Sequence, residues 1–132
     1  MIWKSHVIVT FVTVYAITHN PVASVCAMLG STFPDRIEFL SWKKTHRTFS
    51  HWFVFYLPVL FLYKQGISMY LFWFFIGALL HIVEDALCGK IPVFSPRKRI
   101  QVIPRLFYTG SVNEFLFVIV YCIFMMGLSN KI

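Results

Sequence analysis

Most of this chain is written as apolar segments separated by short polar breaks. That alternation constrains the fold more than any single motif. The segments run from about His6 to Thr18, Pro21 to Thr32, Ser50 to Tyr63, Ile67 to Leu87 and Asn113 to Leu128. Charged residues supply only 13% of the 132 positions, about half the share of an ordinary soluble domain. A chain so poor in charge cannot cover a water-facing surface. The expectation is one membrane-embedded helical domain over residues 1–132, and disordered, collagen-like, coiled-coil and disulfide-scaffold classes are excluded. Cys26, Cys88 and Cys122 lie in apolar runs without CxxC spacing, so they read as small buried hydrophobes. The first segment lacks a small-residue cleavage pattern and reads as retained.

The predicted fold is all-α, a small integral-membrane bundle of five helices. Its first two helices form a short hairpin, with four spans as the alternative. The hairpin turns at His19-Asn20-Pro21, because a proline disfavours helical geometry in the residue before it and is well tolerated at a helix start. Ser50 and Ser111 read as N-caps of the third and fifth helices, and Lys64-Gln65-Gly66 as the close of the third. Thirteen helical residues reach only about 20 Å against about 30 Å of hydrocarbon. Read as a hairpin, the first two segments return His6 to the side where the second ends. Read as one kinked span, they place His6 across the membrane from it.

In the five-helix reading, Lys4, Arg36, Lys43, Lys44, Arg47, Lys90, Arg97, Lys98, Arg99 and Arg105 fall on one side, and Lys64 and Lys131 on the other. Ten against two is a positive-inside bias that assigns the richer side to the cytoplasm. All five carboxylates (Asp35, Glu38, Glu84, Asp85 and Glu114) gather on or near that side, as do His6, His46, His51 and His81. Only His19 lies at the opposite turn. Solvated loop residues would be scattered over both rims, so the convergence points to a shared metal or acid–base site.

Within it, His81-Ile82-Val83-Glu84-Asp85 follows an unbroken apolar run. His81 and Asp85 are four apart and share a helical face, the spacing by which helices grip a divalent ion. Glu84 points elsewhere and reads as a rim charge. His46 and His51 are five apart around Arg47 and Ser50, which suits one ligand in a loop and one in a first helical turn. Arg47 offers a planar donor fork for phosphate oxygens. Phe33-Pro34-Asp35 holds a carboxylate at the end of the second helix. Glu114 opens the fifth, where a carboxylate also serves as a dipole partner.

Gly30 to Asp35, His46-Arg47-x-x-Ser50-His51, His81-x-x-x-Asp85 followed by Gly89 and Pro96, and Thr109-Gly110-Ser111 with Glu114 occur in that order. This series resembles the LexA-regulated, inner-membrane-associated (YdjM-like) family of proposed metal-dependent hydrolases, which is distantly similar to zinc-dependent phospholipase C. The resemblance spans nearly the whole chain. It implies a bacterial inner-membrane location, a divalent metal with zinc as the expected ion, and Asp35, His51, His81 and Asp85 as ligands. His6 and Glu114 are further ligand candidates, as is His46, and His46 or Glu114 would act as proton shuttle. The chain departs from the family pattern at Ile37, where a second acid is common and the nearest is Glu38, and at Trp52, where a small residue is usual.

The function expected from these readings is metal-dependent hydrolysis of a phosphoester of a lipid or lipid-linked substrate at the cytoplasmic interface. His46, Arg47 and Glu114 would serve the chemistry, and Arg97-Lys98-Arg99 would hold an anionic head group. The partners are the bilayer and an anionic or phosphate-bearing substrate. Nucleic acid is not expected, since the basic loops lack interleaved aromatics. The competing class is a non-catalytic membrane protein whose polar cluster is structural or docks a partner.

Overall fold

The computed structural model describes residues 1–41, 49–62 and 68–131. Helix α1 covers Trp3–Thr18 and α2 Pro21–Ser31. His19 takes a left-handed conformation (φ 50°) that ends α1, and the Asn20 side chain accepts hydrogen bonds from the N–H groups of Val22 and Ala23. With Pro21 in the first turn of α2, every residue of the His-Asn-Pro break acts in the reversal. The hairpin, not the single kinked span, is the fold of this segment.

Helix α3 covers Phe33–Ser41, inside the stretch expected to be a loop. Pro34 lies in its first turn, where its missing N–H is not needed, so the proline starts a helix here. Phe49–His51 and Phe53–Phe55 form 3₁₀ turns, and α4 covers Leu57–Leu62. The predicted helix from Ser50 is therefore corrected. Pro58 would sit in its interior and clash with the preceding turn, and the regular helix starts only at Leu57. Ser50 lies inside the first of these turns and not at a helix N-cap; its Oγ donates to Glu38 Oε1 at 2.6 Å, and its carbonyl accepts from the Tyr56 hydroxyl at 2.6 Å. The Lys64-Gln65-Gly66 stop signal lies outside the described residues.

Helix α5 covers Met69–Cys88 and α6 Val112–Ser129, close to the expected limits. Both are long and apolar enough to cross a membrane. Ser111 caps α6 as expected, its Oγ accepting from the Glu114 N–H. Between these helices, β1 (Ile91–Ser95) and β2 (Lys98–Ile100) pair antiparallel. The fold is thus mostly helical, and the all-α expectation is corrected by this ribbon. The Trp52 indole N–H donates to the Val93 carbonyl at 2.8 Å and anchors β1 to the turn that carries His51.

Helix α2 packs intimately on α5. A methyl group at Gly30 would lie 1.7 Å from the Phe74 carbonyl oxygen, and one at Gly77 would lie 1.8 Å from that of Ala27. Two glycines facing backbone let the helices meet at main-chain distance, as small residues do in membrane bundles. Apolar packing surrounds the polar cluster. Tyr56, Ala78, Ile82, Ala86 and Ile91 form one group, and Val14, Ala23 and Ala27 another. On α6, Phe115, Leu116, Ile119, Val120, Ile123 and Phe124 are exposed.

Candidate metal centre

Three pieces of local structure converge. Helix α5 contributes His81, Glu84 and Asp85; the start of α1 contributes His6 and Thr10; α3 and the turn after it contribute Asp35, Glu38 and His51. His6, His51, His81, Glu84 and Asp85 are all buried. A buried ionisable cluster is costly unless its members pair or hold an ion.

Asp35 Oδ1 and Asp85 Oδ2 each lie within reach of both His51 Nε2 and His81 Nε2. His51 Nε2 lies 3.1 Å from His81 Nε2, 3.3 Å from Asp35 Oδ1 and 3.5 Å from Asp85 Oδ2. His81 Nε2 lies 3.7 Å from Asp35 Oδ1 and 3.8 Å from Asp85 Oδ2. Ligands at ~2.0–2.1 Å in a tetrahedral zinc shell are separated by about 3.3–3.4 Å. These spacings are close to the edges of such a shell, and two imidazole nitrogens with two carboxylate oxygens are a suitable donor set. Among the described residues, the groups able to hold a cation are Asp35 with His51 and His81, and His6 with His81 and Asp85; the two share His81.

Each of two imidazoles is oriented from behind by a carboxylate. His51 Nδ1 meets Glu38 Oε1 at 3.1 Å. His6 Nδ1 meets Glu84 Oε2 at 2.6 Å, and Thr10 donates to Glu84 Oε1 at 2.9 Å. This carboxylate–histidine relay fixes the tautomer that leaves Nε2 free to ligate. His6 Nε2 then faces Asp85 Oδ1 at 3.4 Å, and its ring stacks on His81 at 3.9 Å between centroids. The Met1 amino nitrogen is 2.7 Å from the same Asp85 oxygen.

Glu84 is not a rim charge. It is 4% exposed, and the expectation fails because α1 packs beside the face of α5 that Glu84 occupies, one residue round from Asp85. Glu38 was missed as an orienting group because residues 33–49 read as a loop. On a helix, Asp35 and Glu38 are three apart and share a face, so they hold the two nitrogens of one imidazole. The signal was the i, i+3 acid pair.

Electrostatics follow the same geometry outside the spans. Burial disfavours a charged His51, but hydrogen bonds to Asp35 and Glu38 and the nearby Asp85 charge outweigh it and raise its pKa to about 9. Burial acts to raise the Asp35 pKa, yet the hydrogen bond to His51 and the imidazole charges hold it below the ordinary value. Without a metal, His51 is an imidazolium between carboxylates at neutral pH.

Of the other expected site residues, Glu114 does not join the cluster. Its oxygens accept from the N–H groups of Ile2 at 2.8 Å and Gly110 at 2.7 Å, so it ties α1 to the start of α6. It makes none of the described contacts with the His and Asp set, since its carboxylate is turned to the backbone of its own cap. His46 and Arg47 lie outside the described residues.

The family model described as YdjM inner membrane protein matches residues 1–131, and the chain belongs to that family. No curated protein and no solved structure matches it.

Proposed function

We propose that this member of the YdjM inner membrane protein family is a divalent-metal-dependent hydrolase, with zinc the expected ion, acting on a phosphoester of a lipid or lipid-linked substrate. The observation that carries the reading is the pair of imidazole nitrogens, His51 Nε2 and His81 Nε2, 3.1 Å apart and each 3.3 to 3.8 Å from Asp35 Oδ1 and Asp85 Oδ2. Those four side chains would hold the ion, with His6 beside them on Asp85. A divalent ion there supplies Lewis acidity for a phosphoryl or acyl oxygen and acidifies water. The chain supplies the remainder. Glu38 and Glu84 keep His51 and His6 oriented, and Asp35, about one third exposed where the other three are buried, is the ligand on the side from which a substrate enters. His46 and Arg47, five and four residues before His51, are proposed as proton shuttle and phosphate contact. Glu114 is assigned to the fold.

Membrane residence is consistent with the family and with two apolar helices of spanning length. A multi-pass arrangement with the site toward the cytoplasm is part of the proposal and rests on the cation asymmetry. The test is metal analysis of detergent-purified protein, followed by turnover of a chromogenic phosphodiester with metal added back. One or more equivalents of ion, with turnover abolished by chelation and restored by zinc, is the expected result. A stable, folded protein that takes up no divalent ion would establish the non-catalytic alternative.

A further inference from the structure

A cavity of ≈ 480 Å³ adjoins the ligand set, lined by Trp3, Thr32, Asp35, Arg36, Phe39 and Leu40. That volume is in the range of small-molecule sites, roughly 300–1,000 Å³. Its walls are apolar and open: Phe39 is 76% and Leu40 83% exposed. Its charged groups are Asp35 and Arg36, and Asp35 is the residue whose Oδ1 faces His51 and His81. Cavity and ligand set therefore share a residue. Along α3, Asp35 is followed four residues on by Phe39, and Arg36 by Leu40. Both rows pass from charge to hydrocarbon over one turn, the polarity of an amphiphile laid head-first toward the metal ligands.

We infer that this groove seats the hydrocarbon chain of an anionic membrane lipid, with its phosphate-bearing head at Arg36 and Asp35's ligand set. The head-group half rests on the metal reading above, and the tail half on the cavity alone. Charge complementarity selects the occupant, because Arg36, the cation among the groove's described lining residues, stands where the apolar walls end beside the proposed metal centre.

The probe is 12-bromododecylphosphonate, which cannot be hydrolysed and whose terminal bromine quenches nearby indoles. It is added to the full chain in nanodiscs of zwitterionic lipid, with and without bound zinc. Saturable quenching that is mostly lost in Trp3→Phe is expected, together with labelling of Trp3, Phe39 or Leu40 by the same chain bearing a terminal diazirine. Affinity should rise by about twofold or more per methylene from butyl to dodecyl phosphonate, and Arg36→Glu should weaken it at least tenfold. Quenching that survives Trp3→Phe with label on α6 alone, or an affinity independent of chain length, overturns the inference. If chelation leaves phosphonate affinity unchanged while Trp3 quenching and labelling persist, the groove stands and the metal reading falls.

Discussion

His81 and Asp85 hold their positions because an i, i+4 pair on a helix has no choice of face, and this is why they were legible from spacing alone. Glu38 and Glu84 were not, since each acts through contact with a different element. The two classes should separate experimentally. His81→Ala or Asp85→Ala is expected to abolish metal occupancy measured by elemental analysis. Glu38→Gln and Glu84→Gln should retain the ion but weaken its affinity by roughly 10–100-fold. Full occupancy in His81→Ala would refute the ligand set, and no change in either glutamine variant would refute the orienting role. The His51 pKa of about 9 adds a pH dependence. The ion must displace a proton from His51, so metal affinity should rise as pH increases from 6 toward 9, by up to tenfold per unit, with proton release on binding. The metal-free protein behaves oppositely. Its His51 pKa is raised above the unfolded value, so the stability this supplies is full below about 6.5 and is lost as pH rises through about 9. Titration calorimetry in two buffers of different ionisation heat measures the proton release; none at pH 7 would contradict the imidazolium assignment.

At the scale of elements, the limits of α5 and α6 could be read because long uninterrupted apolar runs leave little freedom, and α6 has the Ser111 cap as well. The segment from Phe33 to Leu62 could not, and the reason is its three competing signals. Pro34 reads equally as a chain turn and as a helix start, Pro58 truncates the helix expected over it, and the 3₁₀ geometry between them is stabilised by Tyr56 bonding back to the Ser50 carbonyl and Trp52 reaching the distant carbonyl of Val93. The ribbon of Ile91–Ile100 escaped notice because its strands are only five and three residues long and one contains Pro92, which argues against a strand. The close approach of α2 and α5 was likewise invisible in composition, yet it positions the site. Helix α2 leads directly into α3, so any separation at Gly30 moves Asp35 and Glu38 away from His81. Gly30→Ala and Gly77→Ala each place a Cβ against backbone that cannot yield as a side chain would. Each is expected to cost on the order of 1–3 kcal/mol and to lower metal affinity as well, whereas Gly127→Ala, which lies inside α6 and meets nothing within 4 Å, should leave metal affinity unchanged and raise stability slightly, by up to about 1 kcal/mol. Thermal unfolding and metal titration of the three variants decide this. Equal behaviour would mean that the α2–α5 contact does not set the site.

For the molecule as a whole, the hairpin has a consequence that a four-span chain would not share. His6 stacks on His81 near one end of α5, so the His19 turn at the other end of α1, some 20 Å away for thirteen residues of rise, is displaced along the bundle axis from the metal centre. The basic ribbon with Arg97, Lys98 and Arg99 follows directly on the Cys88 end of α5, the end that carries Asp85. If the cation asymmetry orients the chain, the ribbon faces the cytoplasm and the His19 turn faces the opposite compartment. Both positions are exposed, so each reports its side without disturbing the core. Lys98→Cys and His19→Cys, each in a background lacking the three native thiols, should respond in opposite ways to a membrane-impermeant maleimide applied to intact cells. The expected outcome is labelling at 19 and protection at 98, with 98 becoming reactive once the membrane is permeabilised. Labelling at 98 with protection at 19 would invert the orientation and place the centre on the outer side. Labelling at both from outside would mean that the hairpin does not cross the bilayer, leaving α5 and α6 as the membrane-crossing part.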